Sequence, residues 1–209
     1  MPALSRRELY LVTDSRLPEL ELLRAVESAA GNGADWVVVR APGWTAKALY
    51  TLAGEILAVC HPRGVRVAVS DRLDVALAVG ADGAQLGSRS LPVNVARRLA
   101  ADLHLGVSVH SVEEAVQAEA DGADHVTFGH VFETSSHPGE SARGLTELGR
   151  VVRAVRLPVI AIGGIGPDRV AEVLAAGAAG VAVISAILDS TDPGGIAASL
   201  RRALDEYVA

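Results

Sequence analysis

The sequence has few of the residues that build disulfide frameworks, zinc motifs and nucleic-acid surfaces. Its 209 residues include one cysteine, Cys60, which has no partner for an internal disulfide and no second cysteine for a zinc motif. Two tryptophans, three tyrosines and two phenylalanines are its only aromatic residues, and its formal net charge is −6. A nucleic-acid-binding domain usually shows a basic surface or stacking aromatics. We therefore expect neither disulfides nor a nucleic-acid partner.

Long apolar runs are also lacking. The first residues, Met1–Asp14, contain no apolar stretch of about 7–15 residues of the kind that a secretion signal needs. No run approaches the roughly 18 apolar residues of a membrane span. Together with the single cysteine, these features predict a cytoplasmic protein that has no membrane partner.

The sequence does contain a repeated strand–helix unit. Several predicted helices end in a Gly-Ala-Asp or similar phrase directly before a strand, at residues 33–35, 80–82, 122–124 and 177–179, where glycine can adopt the left-handed helix stop. Predicted strands span 9–13, 36–39, 65–69, 83–86, 158–162 and 180–184, with two more ending at 108–110 and 129–130. Predicted helices span 20–30, 46–60, 93–101, 112–120, 146–155, 168–176 and 196–207, and one more, which follows Asp71, runs to about residue 79. Eight such units predict a single α/β domain over residues 1–209, a closed (β/α)₈ TIM barrel, with an open doubly wound sheet as the alternative.

A barrel of this kind carries its site at the C-terminal ends of its strands. After the seventh and eighth predicted strands come Gly163–Gly164 and Ser185, the place where many such barrels hold a phosphate on exposed backbone N–H groups. The alternative is a pair of ordinary turn glycines. The residues at the predicted strand ends are Asp14, Arg40, Ser70–Asp71, Gln85–Ser88, Ser108–His110, His130, Gly163–Gly164 and Ser185.

Two histidines are candidates for proton transfer, because an imidazole titrates near pH ~6.5. His130 is the stronger candidate, although it could instead be a hydrogen-bonded histidine of the barrel mouth. His110 could simply precede a helix capped by Ser111, with Glu114 completing a capping box. His61, His104 and His125 fall away from the predicted site, and we expect structural roles for them.

Arg40 allows two interpretations, whereas one role is expected for Asp71. The Arg40 guanidinium could hold a carboxylate or phosphate with two parallel hydrogen bonds, or it could form an ion pair with Asp14. Asp71 is placed to cap the helix that follows it. No histidine pair has the spacing of a zinc protease, so we expect no metal site of that type.

Six segments together resemble one family. They cover nearly the whole chain in order, and they are similar to the thiamine phosphate synthase/TenI superfamily of barrel proteins. The segments are Leu9–Asp14, Ser70–Asp74, Ser108–His110, Gly129–Thr134, Ala161–Ile165 and Val183–Ile187.

The synthase branch of this superfamily couples a pyrimidine pyrophosphate with a thiazole phosphate and needs magnesium. Its Gln-x-Arg-x-Lys pattern after the second strand corresponds here to Val38, Arg40 and Pro42. Its Gly-Pro after the sixth strand corresponds to Gly129-His130. The glutamine and the lysine of the synthase pattern are therefore both replaced.

Other charged positions of the synthase pattern differ as well. Its two metal-binding aspartates match Asp71 and Ser90, and its lysine after the Thr-x-Thr loop matches His137. A pyrophosphate leaving group needs cations to offset its developing charge. These departures favour the other branch over the synthase.

That other branch is the TenI-type thiazole tautomerase, whose motifs match Ser108–Ala115 and Phe128–Thr134. The resemblance implies an isomerase in thiamine biosynthesis that uses no metal or other cofactor and aromatises a carboxythiazole phosphate tautomer, with His130 moving the proton. It implies that the phosphate is held by Gly164, Ile184 and Ser185. It also implies a pocket lined by Arg40, Ser70, Ser108, His110 and Thr134. We further expect the loop from Thr134 to Arg143 to close over the ligand.

Three functions are therefore weighed. The tautomerase is favoured, with a thiazole phosphate as ligand and thiazole synthase, which makes the tautomer, as functional partner. The alternatives are a divergent magnesium-dependent synthase that manages with Asp71 alone and a non-catalytic, regulatory binder of thiazole or thiamine phosphate. A homo-oligomer is compatible with the sequence, which does not give the oligomeric state.

Overall fold

The structure, a computed structural model, describes residues 6–134 and 139–208 and is a closed barrel of eight parallel strands. The strands pair in sequence order, and β1 also pairs with β8, with Leu9 opposite Val181. The (β/α)₈ prediction is confirmed, and the open sheet is excluded. The strands are β1 (Glu8–Val12), β2 (Trp36–Val39), β3 (Arg66–Ser70), β4 (Gly83–Leu86), β5 (His104–Val109), β6 (His125–Gly129), β7 (Val159–Ile162) and β8 (Gly180–Val183).

The helices surround this barrel and mostly match the predicted spans. They are α1 (Glu19–Gly31), α2 (Ala46–Cys60), α3 (Leu73–Val79), α4 (Val93–Leu99), α5 (Val112–Ala120), α6 (Gly144–Ala154), α7 (Val170–Ala175), α8 (Ser185–Leu188) and α9 (Pro193–Glu206). Helix α8 was not predicted, because four residues are too few to show a periodic pattern. The predicted 168–176 helix begins instead with a 3₁₀ turn, Pro167–Arg169. None of the described helices is long and apolar enough to cross a membrane.

The Gly-Ala-Asp phrases join neighbouring strands at the N-terminal end of the barrel. Gly33 has a positive φ of 106°, which confirms the predicted left-handed stop. The carboxylate of Asp35, two residues later, accepts a hydrogen bond of 2.7 Å from the backbone N–H of Leu9 in the preceding strand. Asp82 and Asp124 repeat this contact with Val67 and Leu105, again at 2.7 Å. The repeated phrase therefore ends a helix and also fixes the start of the next strand.

Two apolar regions make up the core. The larger lies between the strands and the helices, and it includes Cys60, whose thiol pKa is raised by burial to about 12. The thiol is therefore not ionised at neutral pH. The smaller region lies inside the barrel and consists of Tyr10, Val12, Trp36, Val38, Ala68, Ile160 and Ala182.

The barrel interior also contains a layer of stacked rings, to which Tyr10 and Trp36 of this inner region belong. The ring of Tyr10 stacks on that of Trp36 with centroids 5.7 Å apart, and His104 stacks on His125 at 5.0 Å. His104 Nε2 and His125 Nδ1 share a hydrogen bond of 2.9 Å. The guanidinium of Arg66 covers Trp36 and also pairs with Glu8. These histidines have the structural role expected of them.

The buried His125 makes stability depend on pH. Burial lowers the pKa of His125 from its usual value to about 3. Below pH ~6.5 the unfolded chain therefore binds a proton here that the native protein does not, and stability falls as the pH falls toward 3. At pH 5 we expect this residue to cost about 2 kcal/mol relative to pH 7. Urea unfolding at pH 7 and pH 5 measures this loss of unfolding free energy. Compared with the wild type, the loss should be smaller in His125→Gln and unchanged in the control His61→Gln, whose side chain is half-exposed. Equal losses in the wild type and both variants would contradict the prediction.

Arg201 of α9 holds the first and last elements of the described chain together. Its side chain is 9% exposed, donates to Asp35 at 3.0 Å and to Asp205 at 2.5 Å, and also donates to the carbonyl oxygen of Arg7 at 2.8 Å. Removal of one partner of a buried pair leaves the other charge uncompensated.

We therefore expect Arg201→Met to lower the free energy of unfolding by about 3 kcal/mol. Urea denaturation measures this loss. Arg202→Met is the matched control, because Arg202 is the exposed neighbour in the same helix, and its loss should stay within about 0.5 kcal/mol. Equal small losses for the two variants would show that the Arg201 network does not stabilise the fold.

Candidate functional site

One cavity of about 820 Å³ opens at the C-terminal ends of the strands. This is the end at which (β/α)₈ barrels keep their chemistry. All nine residues predicted for the site line this cavity; they are Arg40, Ser70, Ser108, His110, His130, Thr134, Gly164, Ile184 and Ser185. Their roles toward a ligand remain predictions. The loop from Thr134 to Arg143 lies partly outside the described residues, so its closure is untested.

The turn after β7 has a geometry that only glycine adopts without strain. Gly163 and Gly164 have φ values of 102° and 66°. A Cβ atom on Gly164 would overlap the carbonyl oxygen of Glu133 and lie 2.9 Å from Phe132 Cβ. Arg169 Nη1 donates to the carbonyl oxygen of Gly164 at 2.7 Å. The hydrogen bond from Arg169 thus fixes the turn, and its backbone, which carries no side chains, can approach a ligand closely.

His130 is almost fully buried in the cavity wall. Its Nε2 atom donates to the carbonyl oxygen of Glu140 at 3.2 Å, since a carbonyl oxygen can only accept. Its Cα and Cβ atoms pack against Gly163, where a Cβ would clash with them. The structure therefore shows a hydrogen-bonded histidine of the barrel mouth that also lines the cavity.

His110 belongs to the N-terminus of α5. Ser111 Oγ accepts from the Glu114 backbone N–H at 3.2 Å, and Glu114 Oε2 accepts from the His110 backbone N–H at 2.7 Å. The same carboxylate lies 3.2 Å from His110 Nδ1. The capping role expected as an alternative for this segment is confirmed, and the His110 ring lines the cavity beside it.

Arg40 does not form the ion pair with Asp14 that was considered as an alternative. Asp14 pairs with Arg16, whose Nε donates to it at 2.7 Å, and this hydrogen bond is the main reason that the Asp14 pKa is lowered. The backbone of Arg40 is held by Thr13, whose hydroxyl accepts from the Arg40 N–H at 2.8 Å. Within residues 6–134 and 139–208, the Arg40 guanidinium forms no ion pair, so it is available to an anionic ligand.

Two lining residues, Thr127 and Arg143, were missed, and Gln85 was anticipated only as a residue at a strand end. Gln85 Nε2 donates at 3.1 Å to Oγ of Ser108, one of the nine predicted residues. Thr127 could have been found from the alternation of side chains along β6. Arg143 also lines the cavity, and no periodic pattern marks it, because it lies just before α6 in a loop.

Asp71 does not cap α3, and that prediction is wrong. Asp71 has a φ of 62°, and α3 begins two residues later, at Leu73, with no side chain hydrogen-bonded to its first turn as a cap. The Asp71 carboxylate instead accepts from Ser90 Oγ at 2.8 Å and from Arg89 Nη2 at 3.1 Å. Asp71 is therefore tied to the segment after β4.

The Asp71–Ser90 pair is the position at which the resemblance implies magnesium. It offers one carboxylate and one hydroxyl oxygen. Magnesium is usually bound through one or two carboxylates, with water and substrate phosphates as its other ligands. Both oxygens of the Asp71 carboxylate are already bonded, one to Ser90 and one to Arg89, and neither Asp71 nor Ser90 is among the residues that line the cavity. An ion of that kind would therefore have to displace Arg89 from the carboxylate. Among the described residues, no group of three or more His, Cys, Asp or Glu side chains is placed to hold a metal.

Fold and cavity define a single-domain (β/α)₈ barrel with a polar ligand cavity at the carboxyl ends of its strands. The model of the TMP-TENI family, thiamine monophosphate synthase, matches residues 9–187. The chain therefore belongs to this family.

Individual relatives agree with the family match. The thiamine-phosphate synthase of Pyrococcus horikoshii is 40% identical over 202 residues, which cover 96% of each chain. That of Moorella thermoacetica is 42% identical over 201 residues, covering 93% of each chain. The solved structure of thiamine phosphate pyrophosphorylase from Pyrococcus furiosus superposes with a TM-score of 0.89 at 38% identity and covers 97% of this chain and 98% of that one.

These relatives overturn the prediction of a thiazole tautomerase. They are named as synthases, which are transferases and not cofactor-independent isomerases. The motifs that favoured the isomerase have strong packing constraints. Ser111 and Glu114 cap a helix, and a Cβ on Gly129 would overlap the carbonyl oxygen of Ile162. Short motifs whose residues have a structural role do not identify a reaction. The inference drawn from these motifs, a cofactor-free isomerisation in which His130 moves the proton, was therefore wrong.

Proposed function

We propose that the protein is a thiamine-phosphate synthase that couples a pyrimidine pyrophosphate with a thiazole phosphate. The observation that carries this proposal is that groups suited to binding anions line one cavity at two separate places. The Gly163–Gly164 turn and Ser185 lie at the ends of β7 and β8, and Arg40 lies at the end of β2. A coupling of two phosphorylated substrates needs two such places, and the volume of about 820 Å³ is in the range of small-molecule sites.

Each place suits one of the two anions. Backbone N–H groups at a glycine turn bind phosphate without a side chain in the way, so the β7–β8 side would hold the thiazole phosphate. The Arg40 guanidinium would hold the pyrophosphate with a pair of hydrogen bonds and offset the charge that develops as it leaves. Magnesium, held by Asp71 and Ser90, would add further positive charge at that group. The polar layer of Gln85, Ser108 and Thr127 would orient the ring between the two.

The departures from the synthase pattern limit which cationic side chains of the cavity are available to bind phosphate groups. Val38 and Pro42 replace a glutamine and a lysine, and Lys47, the single lysine of the sequence, does not line the cavity. All permanently positive side chains along the cavity, within the described residues, are therefore arginines. Arginine is permanently charged and binds phosphate groups through two donors, so the proposal rests on Arg40, the arginine of the synthase pattern, and not on a lysine.

The experiment is a coupling assay. Purified protein is mixed with pyrimidine pyrophosphate, thiazole phosphate and magnesium, and thiamine phosphate is measured by chromatography. We expect product to form and a chelator to abolish it. Absence of product at all magnesium concentrations would contradict the proposal.

One observation favours a second candidate, a binder without coupling activity. Arg89 lies 3.1 Å from the Asp71 carboxylate and competes with a cation for it. A binder would show affinity for thiazole phosphate or thiamine phosphate in calorimetry and no product in the coupling assay.

A further inference from the structure

Arg143 lies at the mouth of the cavity, on the β6 side, four strands around the barrel from Arg40. Its Nε atom donates to the carbonyl oxygen of Gly129 at 2.8 Å, and its backbone N–H donates to the carbonyl oxygen of His130 at 3.0 Å. The next residue, Gly144, donates to the carbonyl oxygen of Val131 at 3.1 Å. The start of α6 is therefore fixed to the end of β6 by three hydrogen bonds.

The anchor of Arg143 is next to the glycine turn after β7. Gly129 pairs with Ile162, the residue directly before Gly163. Two further backbone bonds continue this pairing, from Val131 to Ile162 at 2.9 Å and from Phe132 to Gly163 at 3.1 Å. The backbone that holds the guanidinium and the backbone of the turn are thus one hydrogen-bonded unit.

The other arginines that line the cavity have different positions or partners. Arg16 is paired with Asp14, and Arg40 lies at the end of β2. The terminal amino groups of Arg143 have no hydrogen bond or ion pair within residues 6–134 and 139–208, because only its Nε is used. Arg143 is therefore the lining arginine beside the glycine turn.

We propose that Arg143 binds the phosphate group of the ligand seated on the Gly163–Gly164 turn. This inference rests on the proposed function for the identity of that ligand, a thiazole phosphate monoester. Backbone N–H groups are neutral donors, and a phosphate dianion is bound more strongly when a guanidinium adds charge and two parallel hydrogen bonds. The lysine of the synthase pattern matches His137, which lies outside the described residues. Arg143 supplies a permanent charge six residues further along the same connection.

Calorimetry with two probes tests this role. Thiazole phosphate and the thiazole alcohol, which differ only in the phosphate, are titrated into the wild type, Arg143→Gln and Arg150→Gln. Arg150 is the matched control, because it is an exposed arginine of α6 that pairs with Glu147 and does not line the cavity. We expect Arg143→Gln to weaken thiazole phosphate roughly 10- to 100-fold and the alcohol less than about threefold. Arg150→Gln should change neither affinity.

The two probes separate binding from a structural role. If Arg143 only supports the Gly129 carbonyl, both ligands weaken by the same factor, and the inference is overturned. It is also overturned if Arg143→Gln leaves phosphate affinity unchanged, or if the wild type binds both probes equally. If Arg143→Gln shows the phosphate-specific loss of affinity but the wild type forms no thiamine phosphate, the inference about Arg143 stands and the synthase proposal is contradicted. If the wild type forms thiamine phosphate and Arg143→Gln has an unchanged KM for thiazole phosphate, the synthase proposal stands and the inference about Arg143 is overturned.

Discussion

Replacing Gly164 with alanine is expected to abolish the binding of phosphorylated ligands. The residue has a φ of 66°, a conformation that costs a non-glycine residue roughly 1–3 kcal/mol. The added Cβ would also overlap the Glu133 carbonyl oxygen and lie 2.9 Å from Phe132 Cβ. Both obstacles are backbone or close to it, so the turn itself must move. Backbone N–H groups aimed at a phosphate lose their geometry when it does.

Calorimetry with thiazole phosphate measures the effect, and we expect a loss of affinity of at least roughly 100-fold, equivalent to about 2.7 kcal/mol. Gly64→Ala is the matched control. Gly64 has a similar φ of 72°, has no atom within 4 Å of its added Cβ, and follows a 3₁₀ turn away from the cavity. This variant should lose some stability and no affinity. Wild-type affinity in Gly164→Ala would show that the turn does not hold the phosphate.

Asp71→Asn is expected to lower the coupling rate roughly 100-fold, since a single group that offsets charge in a transition state is commonly worth that much. Asn tolerates the left-handed conformation of this position and can still accept the hydrogen bond from Ser90. The fold should therefore be unchanged. The substitution removes the negative charge that would attract magnesium and, with it, the ion pair with Arg89.

Steady-state coupling rates over a range of magnesium concentrations measure this effect. Asp74→Asn is the control, because Asp74 lies three residues away and forms an exposed ion pair with Arg72. The control should keep the wild-type rate and magnesium dependence. Thiazole phosphate affinity should be unchanged in both variants. An Asp71→Asn protein with the wild-type rate would exclude this carboxylate from the reaction.

Much of the fold follows from local patterns. The strand at residues 36–39, the helix at 46–60 and the strand at 83–86 agree with the predictions to the residue. Buried parallel strands are continuous apolar runs, and the left-handed glycines mark where helices end. The pairing of Asp35, Asp82 and Asp124 with the preceding strands was not predicted, because it depends on contacts across about 15 to 26 residues.

The site was predictable only where topology determines it. Residues at the ends of parallel strands must meet at one end of the barrel, so the nine predicted residues do line one cavity. The partners of charged groups were not predictable. Asp14 pairs with Arg16 and not Arg40, and Asp71 turns toward Ser90. These choices depend on loop conformations for which the sequence has no periodic signal.

The reaction was the least predictable feature. The segment from Phe128 to Thr134 favoured an isomerase, while the relatives that match nearly the whole chain are named as synthases. Phe128 is fully buried, and Phe132 packs beneath the guanidinium of Arg169 at 4.5 Å. Such packing contributes to the barrel itself, so these residues do not identify the reaction.

The most direct test of a cavity with two anion sites is to ask whether two anions bind at once. Thiazole phosphate is titrated calorimetrically into the protein alone and into the protein saturated with pyrophosphate and magnesium. We expect one equivalent of thiazole phosphate to bind in both titrations, with its affinity changed by less than roughly tenfold, because the anions occupy the β7–β8 and the β2 sides. If saturating pyrophosphate prevents thiazole phosphate from binding, the cavity holds one anion at a time, and the two-substrate coupling proposed for it is contradicted.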